Sequence, residues 1–285
     1  MSIKLRFLGA IAFLLLPGMA EAQTASLHGF ADVSFKNDYI TPGGVVASTA
    51  GNTIQALNGL VIDLPQDSQG ALTDLSFTAG TWSDFNPGYD RAFNKESFVE
   101  FHWFVGGNAV IDQHWKVGAQ YVEFISPSKA FKTEKNILFT LAFDDSQYFK
   151  TFSLQPHVNL FYATAGDSTV VTGKPGGSFD IDIGATPTLD LRSYGWPLIL
   201  SAPTYVTVGP SEFWGGDSNF GLFSTGLKAT YPMDSLPAAM GHWALYGSAQ
   251  YYNLANDQLV TAQKLVTGRT ARDIGILSLG VTLDF

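Results

Sequence analysis

The sequence alternates apolar and polar residues with a period of two, in one segment after another of about ten residues. In a typical segment Phe179, Ile181 and Ile183 fall on one face, while Asp180 and Asp182 fall on the other. Successive side chains of a β-strand point to opposite faces, so this period indicates strands with one apolar and one polar face. The fold must therefore shield the apolar faces of many strands from water.

Twelve such segments can be counted, an even number, and short connections alternate with longer ones between them. This alternation is typical of an antiparallel transmembrane barrel, in which short turns gather at one end and long loops at the other. We therefore predict an all-β fold, a single transmembrane antiparallel β-barrel of about 12 strands. The predicted strands lie near residues 26–37, 53–63, 72–83, 97–109, 113–125, 135–144, 151–164, 178–190, 197–209, 219–231, 241–254 and 273–285.

The first 22 residues have the features of a secretory signal peptide. Lys4 and Arg6 precede an apolar run over residues 7–16, and the small residues Ala20 and Ala22 follow it. The run is about half the ~20 residues that a transmembrane helix needs. We expect a signal peptide over 1–22 and a barrel over 23–285, outside the cytoplasm.

Composition excludes several classes of function. There is no cysteine, so no disulfide scaffold or thiolate metal site can form. Because Lys4, Arg6 and Glu21 leave with the signal peptide, the 16 basic and 25 acidic residues become 14 and 24. This acidic excess disfavours nucleic acid as a partner. No pair of histidines has metal-ligand spacing, and we expect neither a metal nor a cofactor.

A secreted β-sandwich would also alternate, and the placement of aromatic residues favours the barrel. On strands that run up and down, outward-facing aromatic residues gather at two heights, as the interfacial girdles of a lipid-facing barrel require. A sandwich has no reason to sort them in this way. The lower set is Trp115, Phe143, Phe152, Tyr231, Trp243 and Phe285, and the upper set is Tyr121, Tyr162, Phe179 and Tyr251.

The last segment places Leu277, Leu279, Val281, Leu283 and Phe285 on alternate positions. We expect it to close the barrel against the first strand, because lipid tolerates no unpaired strand edge. It resembles the C-terminal signature of Gram-negative outer-membrane proteins, which implies the barrel-assembly machinery as a partner and the outer membrane as the location. The stretches "ADVSFKNDYITPGG" and "SAPTYVTVGPSEFWGG" also resemble a porin-like family.

Three prolines, Pro156, Pro187 and Pro203, lie inside predicted strands. Proline cannot donate to a strand ladder, so the register of these strands is the least certain. The second strand has apolar residues on both faces, and its orientation is ambiguous from sequence. Phe98 and Phe104 are among the apolar residues predicted to point inward.

Function follows from the predicted lumen, because a 12-stranded barrel is intermediate between filled small barrels and open porins. We expect a narrow passive diffusion channel for small polar or cationic solutes, since the lining is mainly acidic. The alternative is an internal network that pairs the carboxylates with Lys116, Lys228 or arginines. The predicted lining residues are Asp32, Lys36, Asp74, Glu100, His102, Lys116, Gln120, His157, Asn159, Asp180, Asp182 and Lys228.

Some outer-membrane barrels are acyl hydrolases, and this is a less favoured alternative. Those enzymes place His and Ser two residues apart on one strand, so that the imidazole can activate the hydroxyl. None of the five histidines here is followed by Ser at that spacing. We therefore predict that the protein is not an enzyme and assign no catalytic residue.

Aromatic residues on two long loops support a further alternative, a non-conducting barrel that binds a ligand or partner. Tyr89 and Arg91 lie on one loop, and Phe213 and Trp214 on another. Exposed aromatic side chains can stack on ligands or anchor partners. The interpretation that we favour for these loops is that they fold inward as a constriction or lie at the upper membrane interface. The oligomeric state is undetermined by sequence.

Overall fold

The computed structural model describes residues 25–47, 52–66, 70–87, 97–129, 131–149, 151–166 and 176–285. The predicted signal peptide lies outside these residues. Within them, no helix is both long and apolar enough to cross a membrane.

The described residues form one antiparallel sheet of fifteen strands and several short helices. The helices are α1 (Ser211–Trp214), α2 (Asp257–Thr267) and 3-10 turns at Ser146–Tyr148, Leu191–Tyr194 and Ala238–Met240. The strands are β1 (Ser26–Lys36), β2 (Thr53–Leu64), β3 (Leu72–Phe85), β4 (Phe98–Ile111), β5 (Trp115–Ile125), β6 (Glu134–Phe143), β7 (Phe152–Ser153), β8 (Pro156–Ala165), β9 (Ser178–Ala185), β10 (Thr188–Asp190), β11 (Ile199–Ser201), β12 (Thr204–Val208), β13 (Phe220–Pro232), β14 (His242–Asn253) and β15 (Asp273–Asp284).

The sheet closes into a barrel of twelve strands, as predicted, because three of the twelve are each divided in two. β1 pairs with β15 from Phe30 opposite Asp284 to Lys36 opposite Ser278. The amide groups of Gly29 and Phe285 also exchange two hydrogen bonds, of 2.6 and 2.9 Å. The last strand therefore seals the barrel against the first, as expected. We call the end with the short connections the turn end and the opposite end the loop end.

The three divisions coincide with the prolines that made the register uncertain. β7 and β8 separate before Pro156, β9 and β10 at Pro187, and β11 and β12 at Pro203. The register nevertheless continues unchanged. Pro156 is opposite Ala185 above the break and Ser153 is opposite Thr188 below it, an equal step of three residues on each strand.

The exterior is an apolar band. Leu279 is 68% exposed and Leu277 62%, and many other large apolar side chains on the outer face are exposed as well. So large an apolar surface would be unfavourable in water. The structure also fixes the orientation of β2, which the sequence left ambiguous. Leu60 and Ile62 face outward, while the buried Gln55 faces inward. Both predicted aromatic girdles lie on this outer face, with rings such as Trp115 partly exposed.

One predicted orientation is wrong. Phe98 was expected inside, but it pairs with Phe85 on the outer face, with ring centroids 4.6 Å apart. The reason is a β-bulge, because Glu100 pairs with Asp84 and Val99 is left as an extra residue. A bulge reverses the face of every residue beyond it. Phe104, on the other side of the bulge, is inside and buried as predicted.

Two neighbouring glycines on β4 provide a test of the packing. A Cβ atom on Gly106 would lie 2.6 Å from the carbonyl oxygen of Ala119 and 2.9 Å from Gln120 Cα. On Gly107 its nearest neighbour would be the Phe77 ring at 3.5 Å, an ordinary contact. We expect Gly106→Ala to lower the free energy of unfolding by about 1–3 kcal/mol, and Gly107→Ala to leave it nearly unchanged. Urea unfolding of the refolded barrel in micelles measures both, and equal effects would contradict this packing.

Candidate functional site in the barrel interior

The strand register places all the predicted lining residues on the inner face of the barrel. The positions follow directly from the pairing, for example Asp74 opposite Val110 and Val110 opposite Lys116. They do not form one continuous lining, however. Glu100, His102 and Asp180 are buried at the loop end, whereas Asp74 and Lys116 border open space at the turn end.

The loop end is filled by three segments, which together we call the plug. These are residues 38–47, residues 209–219 with α1, and residues 254–272 with α2. The first is a tight hairpin with a bridge between Ile40 and Val46. The plug and the adjacent wall form an apolar cluster whose most buried members, each at most 1% exposed, are Val46, Ala163, Phe213, Trp214, Leu222, Leu254 and Leu259.

Polar contacts hold the plug in place. The Arg269 guanidinium forms an ion pair of 2.5 Å with the buried carboxylate of Asp38, which joins the third plug segment to the first. The Asn256 side chain caps α2 by accepting a hydrogen bond of 2.9 Å from the Gln258 amide. Its own amide group donates to the carbonyl oxygen of Phe220 at 3.0 Å.

The plug changes the interpretation of the loop-binding candidates. Phe213 and Trp214 are fully buried, so neither ring is available to a ligand in solvent. The proposed surface role is therefore wrong for these two residues, because α1 folds inward against β9. Tyr89 and Arg91 lie outside the described residues. Helix α2 was missed in the sequence, although Asn256 at its start and Gly268 at its end are typical capping residues.

A row of stacked rings lines the wall next to the plug. Trp82 lies 4.5 Å from His102, measured between ring centroids, and His102 lies 3.8 Å from Phe124. Tyr39 and Phe161 extend the row at its two ends. The Nε2 atom of His102 is 2.5 Å from the carboxylate of the buried Glu100. Two predicted lining residues are therefore brought together as a pair.

Among the described residues, two cavities of similar size lie inside the barrel. One, of about 280 Å³, is directly beneath the plug, and the other, of about 310 Å³, opens at the turn end. The turn-end cavity is lined by Asp74, Asn108, Lys116 and Thr140. The upper cavity is lined mainly by polar and tyrosine side chains: Lys36, Tyr39, Tyr205, Gln250, Tyr252 and Ser278.

Among the described residues, the predicted internal network is present only in part, because the buried Asp38 pairs with Arg269 while neither Lys116 nor Lys228 pairs with a predicted lining carboxylate. Lys116 instead pairs with Asp144 in a turn, with 2.8 Å between Nζ and Oδ2, and Lys228 lies over the ring of Tyr246 at 3.9 Å.

Three of the interior carboxylates in the described part of the chain accept hydrogen bonds from neutral side chains. Asp32 accepts a hydrogen bond from the Tyr246 hydroxyl at 2.9 Å, and Asp84 accepts one from the Gln55 amide at 3.1 Å. Asp182 accepts one from the Thr207 hydroxyl. Over the same residues, no group of three or more His, Asp or Glu side chains is placed to hold a metal ion. None of these three carboxylates forms an ion pair with lysine or arginine among the described residues.

The closed barrel and its apolar exterior define a transmembrane β-barrel of the outer-membrane type. No protein-family model and no curated protein matches the sequence.

Several solved structures do match, at low sequence identity. The outer membrane phospholipase A of Escherichia coli is 11% identical with a TM-score of 0.46, over 89% of this chain and 92% of that one. An outer membrane channel from Pseudomonas putida F1 is 10% identical with a TM-score of 0.45, over 95% and 100%. A porin is 11% identical with a TM-score of 0.36, over 92% and 100%.

The ion pair at the turn end predicts a pH dependence. Hydrogen bonds from Lys116 and Ser146 lower the pKa of Asp144 from 3.8 to about 2. Because this pKa is lower in the folded state, its stabilisation is complete above pH ~4 and is lost as the pH falls towards ~2. We expect Asp144→Asn to reduce the free energy of unfolding at pH 7 by at most about 1 kcal/mol, since the pair is partly exposed.

Urea unfolding of wild type and Asp144→Asn between pH 2 and 7 measures this effect. The difference between the two proteins should disappear at the lowest pH. Asp234→Asn, in another exposed turn, serves as the control and should show no such convergence. A difference that persists unchanged to pH 2 would contradict the assignment.

Proposed function

We propose that the protein is a narrow outer-membrane channel for small neutral or cationic solutes, closed at its loop end by the plug. The observation that carries the proposal is the pair of internal cavities, of about 280 and 310 Å³, whose linings include charged and polar side chains such as Lys36 in one and Asp74 in the other. A barrel that served only as an anchor would have no need of polar space at both ends. Each cavity is large enough for a few water molecules or a small solute.

The charges inside the barrel support the solute preference. Asp32 and Asp74 form no ion pair with lysine or arginine among the described residues. Carboxylates that are not held in an ion pair attract cations and repel anions, as charged rings do in other pores. Lys36 is the basic residue of the upper cavity, and its positive charge faces the negative charges of Asp32 and Asp84.

Conduction requires the plug to move. The fully buried Leu259 anchors α2 in the apolar cluster, and the Asp38–Arg269 pair anchors it to the hairpin. Opening must expose this apolar surface, so the closed form is favoured at equilibrium. We therefore propose rare openings of small conductance rather than a permanently open pore.

Helix α2 offers a matched pair of variants for testing this proposal. Leu259 is fully buried, whereas Leu265, on the same helix, is 60% exposed. We expect Leu259→Ala to raise the open probability in a planar bilayer about tenfold or more, since a large-to-small core substitution costs 2–5 kcal/mol. Leu265→Ala should behave like wild type. Absence of current steps from both wild type and Leu259→Ala would overturn the channel and favour the non-conducting barrel.

The lining residues at the turn end test selectivity. In a potassium chloride gradient, we expect Asp74→Asn to reduce the preference for potassium over chloride, because it removes a carboxylate from the cavity. Lys116→Gln should change the reversal potential in the opposite direction. Shifts of the same sign in both variants would show that these residues do not set the selectivity.

The proposal includes the barrel-assembly machinery as a partner during biogenesis. Its support is the resemblance of the last strand to the outer-membrane signature and the outward exposure of Leu277, Leu279 and Phe285. A Phe285→Ser variant tests it, because impaired recognition lowers the amount of folded barrel in cells while refolding of the purified chain is less affected.

A further inference from the structure

The upper cavity, of about 280 Å³, has aromatic side chains on the part of its wall nearest the plug. Tyr205 on β12 and Tyr252 on β14 are both opposite Ser224 on β13, so the two tyrosines face inward at one level of the barrel. Ser224, between them, is small and fully buried. A molecule in this cavity therefore meets two aromatic side chains on the same wall.

Below the tyrosines the wall of the cavity is polar. Gln250 lies two residues from Tyr252 on the same face of β14. At the next level, Lys36 on β1 is opposite Ser278 on β15, and Ser278 is opposite Ser248 on β14. The two serine hydroxyls are hydrogen-bonded to each other. The cavity therefore combines an aromatic part with a polar part that carries an amide, an ammonium group and hydroxyls.

Two of these polar groups have hydrogen-bonding capacity left for a ligand. Among the described residues, the Lys36 ammonium group forms no ion pair and no side-chain hydrogen bond. The Gln250 amide is held in place, because its nitrogen donates to Ser224 Oγ at 2.6 Å and to the carbonyl oxygen of Pro203 at 3.3 Å. Its oxygen accepts no side-chain hydrogen bond in the same part of the chain. Lys36 can therefore donate to a ligand and Gln250 can accept.

The charges around the cavity offset one another. The positive charge of Lys36 faces the negative charges of Asp32 and Asp84. Asp38, the acidic residue of the lining, is held in an ion pair with Arg269. Neither a cation nor an anion would therefore find a charge of opposite sign that is not already offset. A neutral molecule with several hydrogen-bonding groups fits this cavity better than an ion.

We propose that the upper cavity binds a small neutral polyhydroxylated solute of the size of a monosaccharide. The C–H face of a sugar ring packs on the ring of Tyr252 or Tyr205, since aromatic rings offer a flat apolar surface. Its hydroxyls, which both donate and accept, bond to Lys36 and Gln250. The volume lies at the small end of the range of ligand pockets, about 300–1,000 Å³. The inference rests on the proposed channel, whose solute class it narrows to neutral polyols.

Saturation-transfer difference NMR on the refolded mature chain in micelles tests this site, with xylose and glucose as probes. We expect saturable transfer to at least one of the two sugars. Lys36→Met should weaken the affinity about tenfold, because it removes a charged hydrogen-bond donor. Tyr252→Leu should weaken it about fivefold through loss of the ring, whereas Tyr252→Phe should retain most of the affinity. The matched control is Tyr251→Leu, which changes the neighbouring, outward-facing tyrosine and should bind sugar like wild type.

Heat-modifiable migration on gels verifies that each variant is folded. Leu259→Ala is included because it loosens the plug and so admits a sugar that the closed form would exclude. Absence of saturable transfer in both folded wild type and Leu259→Ala overturns the site. Equal affinity in wild type, Lys36→Met and Tyr252→Leu also overturns it, and so does saturable binding of acetate or putrescine but of neither sugar.

The binding assay measures no current, so this inference and the proposed channel can fail separately. Sugar binding without current steps would support the site and reject the channel. Current steps in a protein that binds neither sugar would support the channel and reject the site.

Discussion

The structure depends on one constraint, that no backbone amide or carbonyl group can face hydrocarbon without a partner. The closed ladder satisfies it, with β15 paired to both β1 and β14. This constraint is hardest to satisfy at the three prolines, because each lacks the backbone N–H that would donate to the neighbouring strand. Side chains replace the missing backbone partners near the break before Pro156. There the Asp145 carboxylate accepts hydrogen bonds from the backbone amides of Leu154 and Gln155.

Period-two alternation was sufficient to predict the strands, the outer band and the inner face. It succeeds because the burial of a side chain in a barrel is decided by parity alone, as for Asp180 inside and Ile183 outside. The prediction fails where an extra residue in a strand shifts the alternation of inward and outward side chains. Val99 forms a bulge that no local signal revealed, and Phe98 was assigned to the wrong face for that reason.

The plug could not be predicted from the period-two alternation. Whether Phe213 and Trp214 point to solvent or fold into the barrel depends on long-range contacts with Leu222 and Leu259, and periodicity carries no information about them. The cavity at Lys36 was also invisible, because an alternating strand predicts only that this side chain faces inward. Partners across strands are decided by register, which requires the structure. The acidic character of the interior could be predicted from the sequence, whereas the filling of the loop end by the plug could not.

The interior thus has an ordered sequence of layers from one end to the other. The plug covers the loop end, the ring stack around His102 and the upper cavity follow, and the turn-end cavity with Asp74 opens on the other side. In the channel that we propose, this arrangement separates closure from selectivity, since different residues would control each. A substitution in the plug would then change how often a path exists, and one near Asp74 would change what passes along it.

The aligned prolines have a mechanical consequence. Within two or three rungs of the ladder, Pro156, Pro187 and Pro203 remove three amide donors from three adjacent strands. Elastic stiffness around the circumference comes from inter-strand hydrogen bonds, so this arc of the wall is softer than the rest. A barrel whose cross-section becomes elliptical under lateral pressure from the bilayer bends first along that arc, while the opposite wall at β1–β5 keeps its curvature.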